Sequence, residues 1–225
     1  MQSVDTLIHA RWIAPVEPDE RILDHHALAI TDGEIVDMGP SEVLAAHYQA
    51  RHDHRLDHHL LLPGLINAHT HAAMTLLRGL ADDRPLMEWL QEHIWPAEAQ
   101  WVGSGFVRDG VRLAIIEMMR GGTTCFNDMY FFPDEAARQC AALGMRAVMG
   151  MIAVEFPTAW ANDAGEYLRK GLSLHDAWRD HPLITTAFAP HAPYTVADAT
   201  FRQIALYAEE LEVPIHLHLH ETATE

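Results

Sequence analysis

Short apolar runs alternate with amphipathic segments along most of the chain. Five runs after residue 59 are strand candidates: residues 60–68, 123–130, 146–154, 183–190 and 214–220, the first of them broken by Pro63-Gly64. Between them, apolar residues recur at helical spacing, as in segments 107–118 and 201–211. This repetition predicts an α/β fold with a parallel sheet and crossover helices. Strands buried on both faces fit either a doubly wound sheet or a (β/α)8 barrel. With five predicted strands, a barrel would lack three of its eight strand–helix units here.

The first 59 residues have a different pattern. Residues 27–31 and 34–38 flank an Asp32-Gly33 pair, which predicts a β-hairpin with a tight turn. A polar stretch rich in His, Asp and Arg follows at residues 48–59. We therefore expect two domains, a small β-rich unit over residues 1–59 and a larger α/β unit over residues 60–225.

The charge balance narrows the choice of partners. The chain has 15 Lys and Arg residues against 32 Asp and Glu residues, a formal net charge of −17. Such a surface repels phosphate backbones and anionic membranes, so we expect neither nucleic acid nor membrane as a partner. Cys125 and Cys140 lie in mainly apolar segments, which predicts buried free thiols. The first residues lack the basic and apolar regions of a secretion signal, which favours the cytoplasm.

Histidine is abundant, with 17 residues, so one His-x-His pair is expected by chance. His52 and His54 are such a pair among charged residues, and we interpret them as solvated surface. His69 and His71 instead close an apolar run, where an unpaired imidazole is costly. Two histidines at this spacing on an extended segment project to one face, so one metal ion can take a nitrogen from each.

A second group of histidines ends the last apolar run. His216, His218 and His220 share one strand face, and spacing alone does not say which of them binds metal. We expect His216 and His220 to be held by hydrogen bonds near the site. Glu221, just beyond the run, is placed to act as a general base beside a metal-bound water.

A third candidate, His191, lies between two prolines at the end of the fourth run. It is suited to donate a hydrogen bond to a substrate, and the alternative is a histidine that only braces the loop. All three groups fall at the carboxyl ends of predicted strands, where barrels and open α/β sheets place their active sites.

Several motifs occur in an order that resembles a known family. They are PGLINAHTH at residues 63–71, AAMTLLRGLAD at 72–82, Trp89-Leu90, Pro96-Ala97-Glu98, Asp128-Met129-Tyr130, PHAPY at 190–194 and HLHET at 218–222. Together they resemble the amidohydrolase superfamily, and most closely its methylthioadenosine/S-adenosylhomocysteine deaminases and their chlorohydrolase relatives. The resemblance implies a (β/α)8 TIM-type barrel, with strands one to five present here, and a small N-terminal β-sandwich.

The resemblance also implies roles for single residues. His69, His71 and His218 would be zinc ligands, since the family pattern His-x-x-Glu selects His218 and makes Glu221 the proton-transfer residue. Glu98 matches a residue that binds ribose hydroxyls, and His191 matches one that contacts the purine ring. A further histidine and an aspartate ligand would lie beyond residue 225, so the chain resembles the N-terminal half of a longer protein, and we expect residues 1–225 alone to be insoluble or inactive.

The expected reaction is zinc-dependent hydrolytic deamination of the adenine ring of a small nucleoside, with one ion per subunit. Methylthioadenosine, S-adenosylhomocysteine and adenosine are all compatible, Fe²⁺ suits the same ligands, and we expect a homo-oligomer. The nearest rival is a relative that uses the same metal site on another aminopurine, a pyrimidine or a chlorotriazine. A rival of another class, a non-catalytic metal-binding module, leaves Glu221 without a role.

Overall fold

The computed structural model describes residues 1–18 and 20–222. The chain divides into two compact units, Met1–Gly64 and Leu65–Glu225. None of the helices in the described part of the chain is long and apolar enough to cross a membrane.

The first unit is built on a four-stranded sheet in the order β3-β2-β1-β4. Its elements are β1 (Gln2–Ile13), β2 (Leu23–Thr31), β3 (Glu34–Pro40), helix α1 (Ser41–His47) and β4 (Tyr48–Leu61). Asp32 and Gly33 connect β2 to β3 with φ values of 53° and 81°, as a tight hairpin turn requires. The polar stretch forms β4, where His52 and His54 are exposed. A two-sheet sandwich stays a prediction.

The second unit has a parallel sheet in the order β5-β6-β7-β8. The strands are β5 (Leu65–Thr70), β6 (Thr123–Asp128), β7 (Arg146–Ala153) and β8 (Ile184–Pro190). The helices are α2 (Leu86–Glu88), α3 (Trp95–Trp101), α4 (Ser104–Arg120), α5 (Pro133–Leu143), α6 (Ala164–Trp178) and α7 (Asp198–Leu211). A 3-10 helix spans Ala72–Leu77, and a π-helical segment, Trp89–Ile94, joins α2 to α3.

The strand order decides between the two sheet topologies. Each new strand is added on the same side of the previous one, without the reversal of direction that defines a doubly wound sheet. Such an order is that of a (β/α)8 barrel, and the described strands form part of one.

The structure bears on two of the predicted strands. The run 60–68 divides at Pro63 and Gly64, where the sequence indicates a break: β4 ends at Leu61 and β5 begins at Leu65. The run 214–220 has a single bridge, from Phe188 to Ile215, in place of a regular strand. This segment nevertheless lies beside the carboxyl end of β8, because the His216 N–H donates to the carbonyl of Phe188 over 2.8 Å.

The core of the second unit lies between the sheet and its helices. Phe126, Met149 and Phe188 are fully buried there, and Cys140 packs in the same cluster, whereas Cys125 is half-buried. Gly150 lies where a Cβ atom would come within 2.6 Å of the Asp128 carbonyl oxygen, so the strands β6 and β7 approach closely at this point. Because the four strands are parallel, their carboxyl ends lie together at one edge of the sheet.

Candidate metal centre and catalytic pocket

His69 and His71 are presented by the end of β5. The neighbouring strand β6 ends at Asp128, which is 2% exposed. Its Oδ1 accepts the Ala72 N–H over 2.7 Å and lies 2.9 Å from the Thr70 hydroxyl, so it holds the backbone on both sides of His71. Burial raises the pKa of Asp128 to about 6, and these two hydrogen bonds oppose that rise.

His218 is presented by the segment that follows the end of β8. Its backbone N–H and its ring Nδ1 lie 3.0 Å and 2.9 Å from the carbonyl oxygen of His191. Since a carbonyl only accepts, the Nδ1 carries the proton and the Nε2 keeps its lone pair. His71 has the same arrangement, with its Nδ1 against the carbonyl of Met129. Backbone acceptors therefore leave the Nε2 atoms of both rings ready to bind a metal.

The three imidazoles converge on one point. The Nε2 of His218 lies 3.2 Å from the Nε2 of His71 and 3.2 Å from the Nε2 of His69. One ligand atom from each of the three lies within 4.8 Å of the others. Nitrogens at about 2.0–2.1 Å from a tetrahedral zinc ion are about 3.3 Å apart, so the spacing fits such an ion.

His216 and His220 take other positions. The Nε2 of His216 lies 2.9 Å from the Nδ1 of His69, on the side of that ring away from His218. His220 is exposed and has a φ of 59°, in the left-handed region. Of the three histidines on the segment, the structure brings His218 into the cluster and places His216 behind His69.

Burial keeps two of the nearby imidazoles neutral. It lowers the pKa of His71 to about 4, and it lowers that of His191 to about 3 with help from the neighbouring His218 and His71. Neutral imidazole is the form that binds a metal ion at pH 7.

A cavity of about 590 Å³ opens next to the cluster. It is lined mainly by apolar side chains, and the predicted site residues His71, His218, Glu98, His191 and Glu221 all reach it. An apolar cavity with a few convergent polar groups is the usual form of a small-molecule site.

Glu98 projects into this cavity from α3. The hydroxyl of Tyr130, a residue just after β6 that is 4% exposed, donates to Glu98 Oε1 over 2.7 Å. Burial raises the pKa of Glu98, and the hydrogen bond from Tyr130 partly offsets that rise. Because Tyr130 occupies Oε1, Oε2 remains available to accept a hydrogen bond from a ligand.

Two further contacts orient the polar end of the cavity. The hydroxyl of Tyr194 donates to Glu221 Oε2 over 2.8 Å. The Nδ1 of His191 lies 2.8 Å from the hydroxyl of Thr195, in the loop between β8 and α7. His191 and Tyr194, two residues of the PHAPY motif, thus lie on the same side of the cavity as His218.

A family profile described as the amidohydrolase family matches residues 60–225. The chain belongs to the amidohydrolase family. It is 51% identical over 221 residues to a 5-methylthioadenosine/S-adenosylhomocysteine deaminase of Saccharophagus degradans, a match that covers 98% of this chain and 50% of the relative. A relative of the same name from Teredinibacter turnerae is also 51% identical, with 99% of this chain and 50% of the relative covered. This amidohydrolase chain thus spans about half the length of the curated relatives it matches.

Solved structures agree with the assignment to the amidohydrolases. An adenosine deaminase from Xanthomonas campestris with bound zinc superposes with a TM-score of 0.97 at 50% identity, over 100% of this chain and 51% of that one. A zinc-complexed atrazine chlorohydrolase from Arthrobacter aurescens has a TM-score of 0.86 at 20% identity, over 96% of this chain and 53% of that one, which shows a shared fold alone.

The sequence did not predict the roles of several residues that support this amidohydrolase site. Asp128, Tyr130 and Tyr194 belong to motifs that carry the family resemblance, but no role followed from their spacing. The available signal was position, since Asp128 and Tyr130 end or follow β6 and Tyr194 follows β8. Their partners, Ala72, Glu98 and Glu221, are far away along the chain and become neighbours only in the folded unit.

Proposed function

We propose that this chain carries the metal centre and most of the substrate pocket of an enzyme that hydrolytically deaminates the adenine ring of a small nucleoside. The observation that carries the proposal is the convergence of His69, His71 and His218 beside a cavity that also holds Glu98 and Glu221. The names of the relatives, which are deaminases of adenine nucleosides, support the same reaction.

The proposed cofactor is one Zn²⁺ per subunit, held by the Nε2 atoms of His69, His71 and His218. Three neutral imidazoles suit zinc, and the structural relative from Xanthomonas campestris has zinc bound. When bound, the ion supplies a positive charge that lowers the pKa of water towards neutrality.

Glu221 is the proposed proton carrier. It takes a proton from the attacking water and delivers it to N1 of the adenine ring, so that C6 becomes electrophilic. The deprotonated water then adds to C6, forming the C6–O bond. The proton of that new hydroxyl passes to the N6 amino group, the C6–N6 bond breaks, ammonia leaves, and a hypoxanthine nucleoside with a C6 carbonyl remains. The hydrogen bond from Tyr194 to Glu221 Oε2 holds this carboxylate at the cavity, where proton exchange is proposed to occur.

Glu98 and His191 are proposed to hold the substrate. The free Oε2 of Glu98 accepts from a ribose hydroxyl, a charge-assisted hydrogen bond. His191 contacts the purine ring next to the metal centre, where its ring centroid is 4.8 Å from that of His218. We further propose a homo-oligomer in the cytoplasm with a small-molecule nucleoside as its only substrate class.

The test is a substrate panel with the full-length, zinc-loaded protein. Adenosine, methylthioadenosine and S-adenosylhomocysteine are expected to release one ammonia per molecule converted, with loss of the adenine absorbance band. A chlorotriazine is the matched non-nucleoside. Release of chloride from it, without ammonia from any adenine nucleoside, would contradict the proposal.

A further inference from the structure

Trp95 and Phe156 line the same cavity as Glu98. Their ring centroids are 5.9 Å apart, with the planes inclined by 54°. Trp95 and Glu98 are three residues apart on α3, so the two side chains lie on the same face of the helix. The aromatic pair is therefore a direct continuation of the wall that carries Glu98.

A chain of neighbouring groups connects the histidines to this aromatic pair. The ring of Tyr130 is 6.3 Å from that of His71, and its hydroxyl is 2.7 Å from Glu98. Trp95 comes next, within one turn of α3. An adenine nucleoside presents its parts in the same order: the C6 amino group, the ribose hydroxyls and the 5′ substituent. With C6 at the histidines and the ribose at Glu98, the 5′ substituent points to Trp95 and Phe156.

We infer that Trp95 and Phe156 form an apolar subsite that selects adenine nucleosides with an uncharged 5′ substituent over those with a charged amino-acid tail. This inference rests on the proposed function. The names of the relatives contain both 5′-methylthioadenosine and S-adenosylhomocysteine, and the proposed subsite favours the first of these two substrates.

Two physical effects support this selection. A methylthio group buries its apolar surface away from water and gains sulfur–aromatic contacts between the two rings. An amino-acid tail has two ionic groups, which must lose water against an apolar wall, and none of the described residues that line the cavity is a Lys or Arg that could pair with its carboxylate. Its carboxylate also comes close to the Glu98 carboxylate on the same wall as Trp95, and like charges repel.

The deciding experiment compares kcat/KM for methylthioadenosine, adenosine and S-adenosylhomocysteine, using the full-length, zinc-loaded protein. We expect methylthioadenosine to exceed S-adenosylhomocysteine by at least about tenfold, within the range that pocket contacts achieve. Phe156→Arg places a cation beside the tail and should reduce that ratio by about tenfold or more. Phe156 is 37% exposed, so an arginine there reaches water and the fold is preserved. Trp95→Ala should lower kcat/KM for methylthioadenosine towards that for adenosine.

Trp101→Ala is the matched control. Trp101 ends the same helix, is 62% exposed and lies outside the cavity lining, so its loss should leave the substrate ratios unchanged. Equal kcat/KM for methylthioadenosine and S-adenosylhomocysteine in the wild-type protein, or an unchanged ratio in Phe156→Arg, overturns the subsite while the deaminase activity stands. Failure of the wild-type protein to deaminate any adenine nucleoside overturns the proposed function and the subsite together.

Discussion

At the scale of single residues, Glu221 is proposed to transfer protons without binding the metal. Its carboxylate lines the cavity and accepts from Tyr194, whereas the group beside this cavity that fits a metal ion consists of three histidines. A carboxylate outside the ligand set can gain and lose a proton without disturbing the metal.

Glu221→Gln should therefore retain zinc and lose turnover. We expect kcat to fall by at least about 100-fold, because an amide does not accept the proton of water. Zinc content by mass spectrometry should be unchanged. Glu209→Gln, an exposed substitution on α7, is the control for a lost carboxylate. Near-normal kcat in Glu221→Gln would mean that another group carries the proton.

The hydrogen bond from Tyr130 to Glu98 predicts a split between KM and kcat. Tyr130→Phe releases the Glu98 carboxylate, so KM for a ribonucleoside should rise about tenfold while kcat changes little. KM for the corresponding 2′,3′-dideoxynucleoside should stay near its wild-type value. Tyr207→Phe, on α7, removes a comparable hydroxyl outside the cavity lining. An equal rise in KM for both nucleosides would assign Tyr130 a purely structural role.

The sequence predicted which histidines bind a metal only where the neighbouring residues distinguished them. His69 and His71 stood out because they close an apolar run, whereas His52 and His54, with equal spacing, lie among charged residues and are exposed. Spacing left His216, His218 and His220 equivalent. The structure separates them through partners that are distant in sequence, the His191 carbonyl for His218 and the His69 ring for His216.

At the scale of elements, the end of β6 supports the end of β5 through Asp128. Because burial raises its pKa to about 6 from an ordinary value of 3.8, the folded protein holds this proton more tightly than the unfolded chain. The contribution of Asp128 to stability is thus complete at low pH and declines as pH rises from about 4 to about 6.

Asp128→Asn isolates this effect, since asparagine is the same size and does not titrate. In metal-free protein, the free energy of unfolding of the wild type, minus that of the variant, should decrease between pH 4 and pH 6 and level off above. Urea unfolding at several pH values measures this difference. A difference that increases with pH would show that Asp128 is ionised throughout and stabilised by its two hydrogen bonds.

Periodicity predicted the elements well where strands and helices alternate, and less well at the last run. The Pro63-Gly64 pair indicated a break in the run 60–68, and β4 and β5 lie on either side of it. The run 214–220 alternates as a strand would, but its backbone hydrogen bonds within the described residues go to Phe188 of β8 and to His191 just after it, with a single bridge at Ile215. Regular strand structure depends on such partners, which local pattern does not reveal.

At the scale of the whole molecule, the strand order carries the most information. The strand–helix pattern left a doubly wound sheet and a barrel open, the family resemblance implied the barrel, and the one-directional order β5-β6-β7-β8 is that of a barrel. This order brings the carboxyl ends of the strands to one face, where the histidine cluster, Glu98 and Glu221 surround a single cavity. Pairing order is a long-range property, which explains why composition and periodicity did not settle it.

The most direct test of the metal centre is anomalous diffraction at the zinc absorption edge, from crystals of the full-length, zinc-loaded protein. We predict one strong peak per subunit, about 2.0–2.1 Å from the Nε2 atoms of His69, His71 and His218. His52 and His54 are the internal control, since they have the same spacing as His69 and His71 on an exposed strand. A peak at His52 and His54, or at His216 in place of His218, would contradict the account.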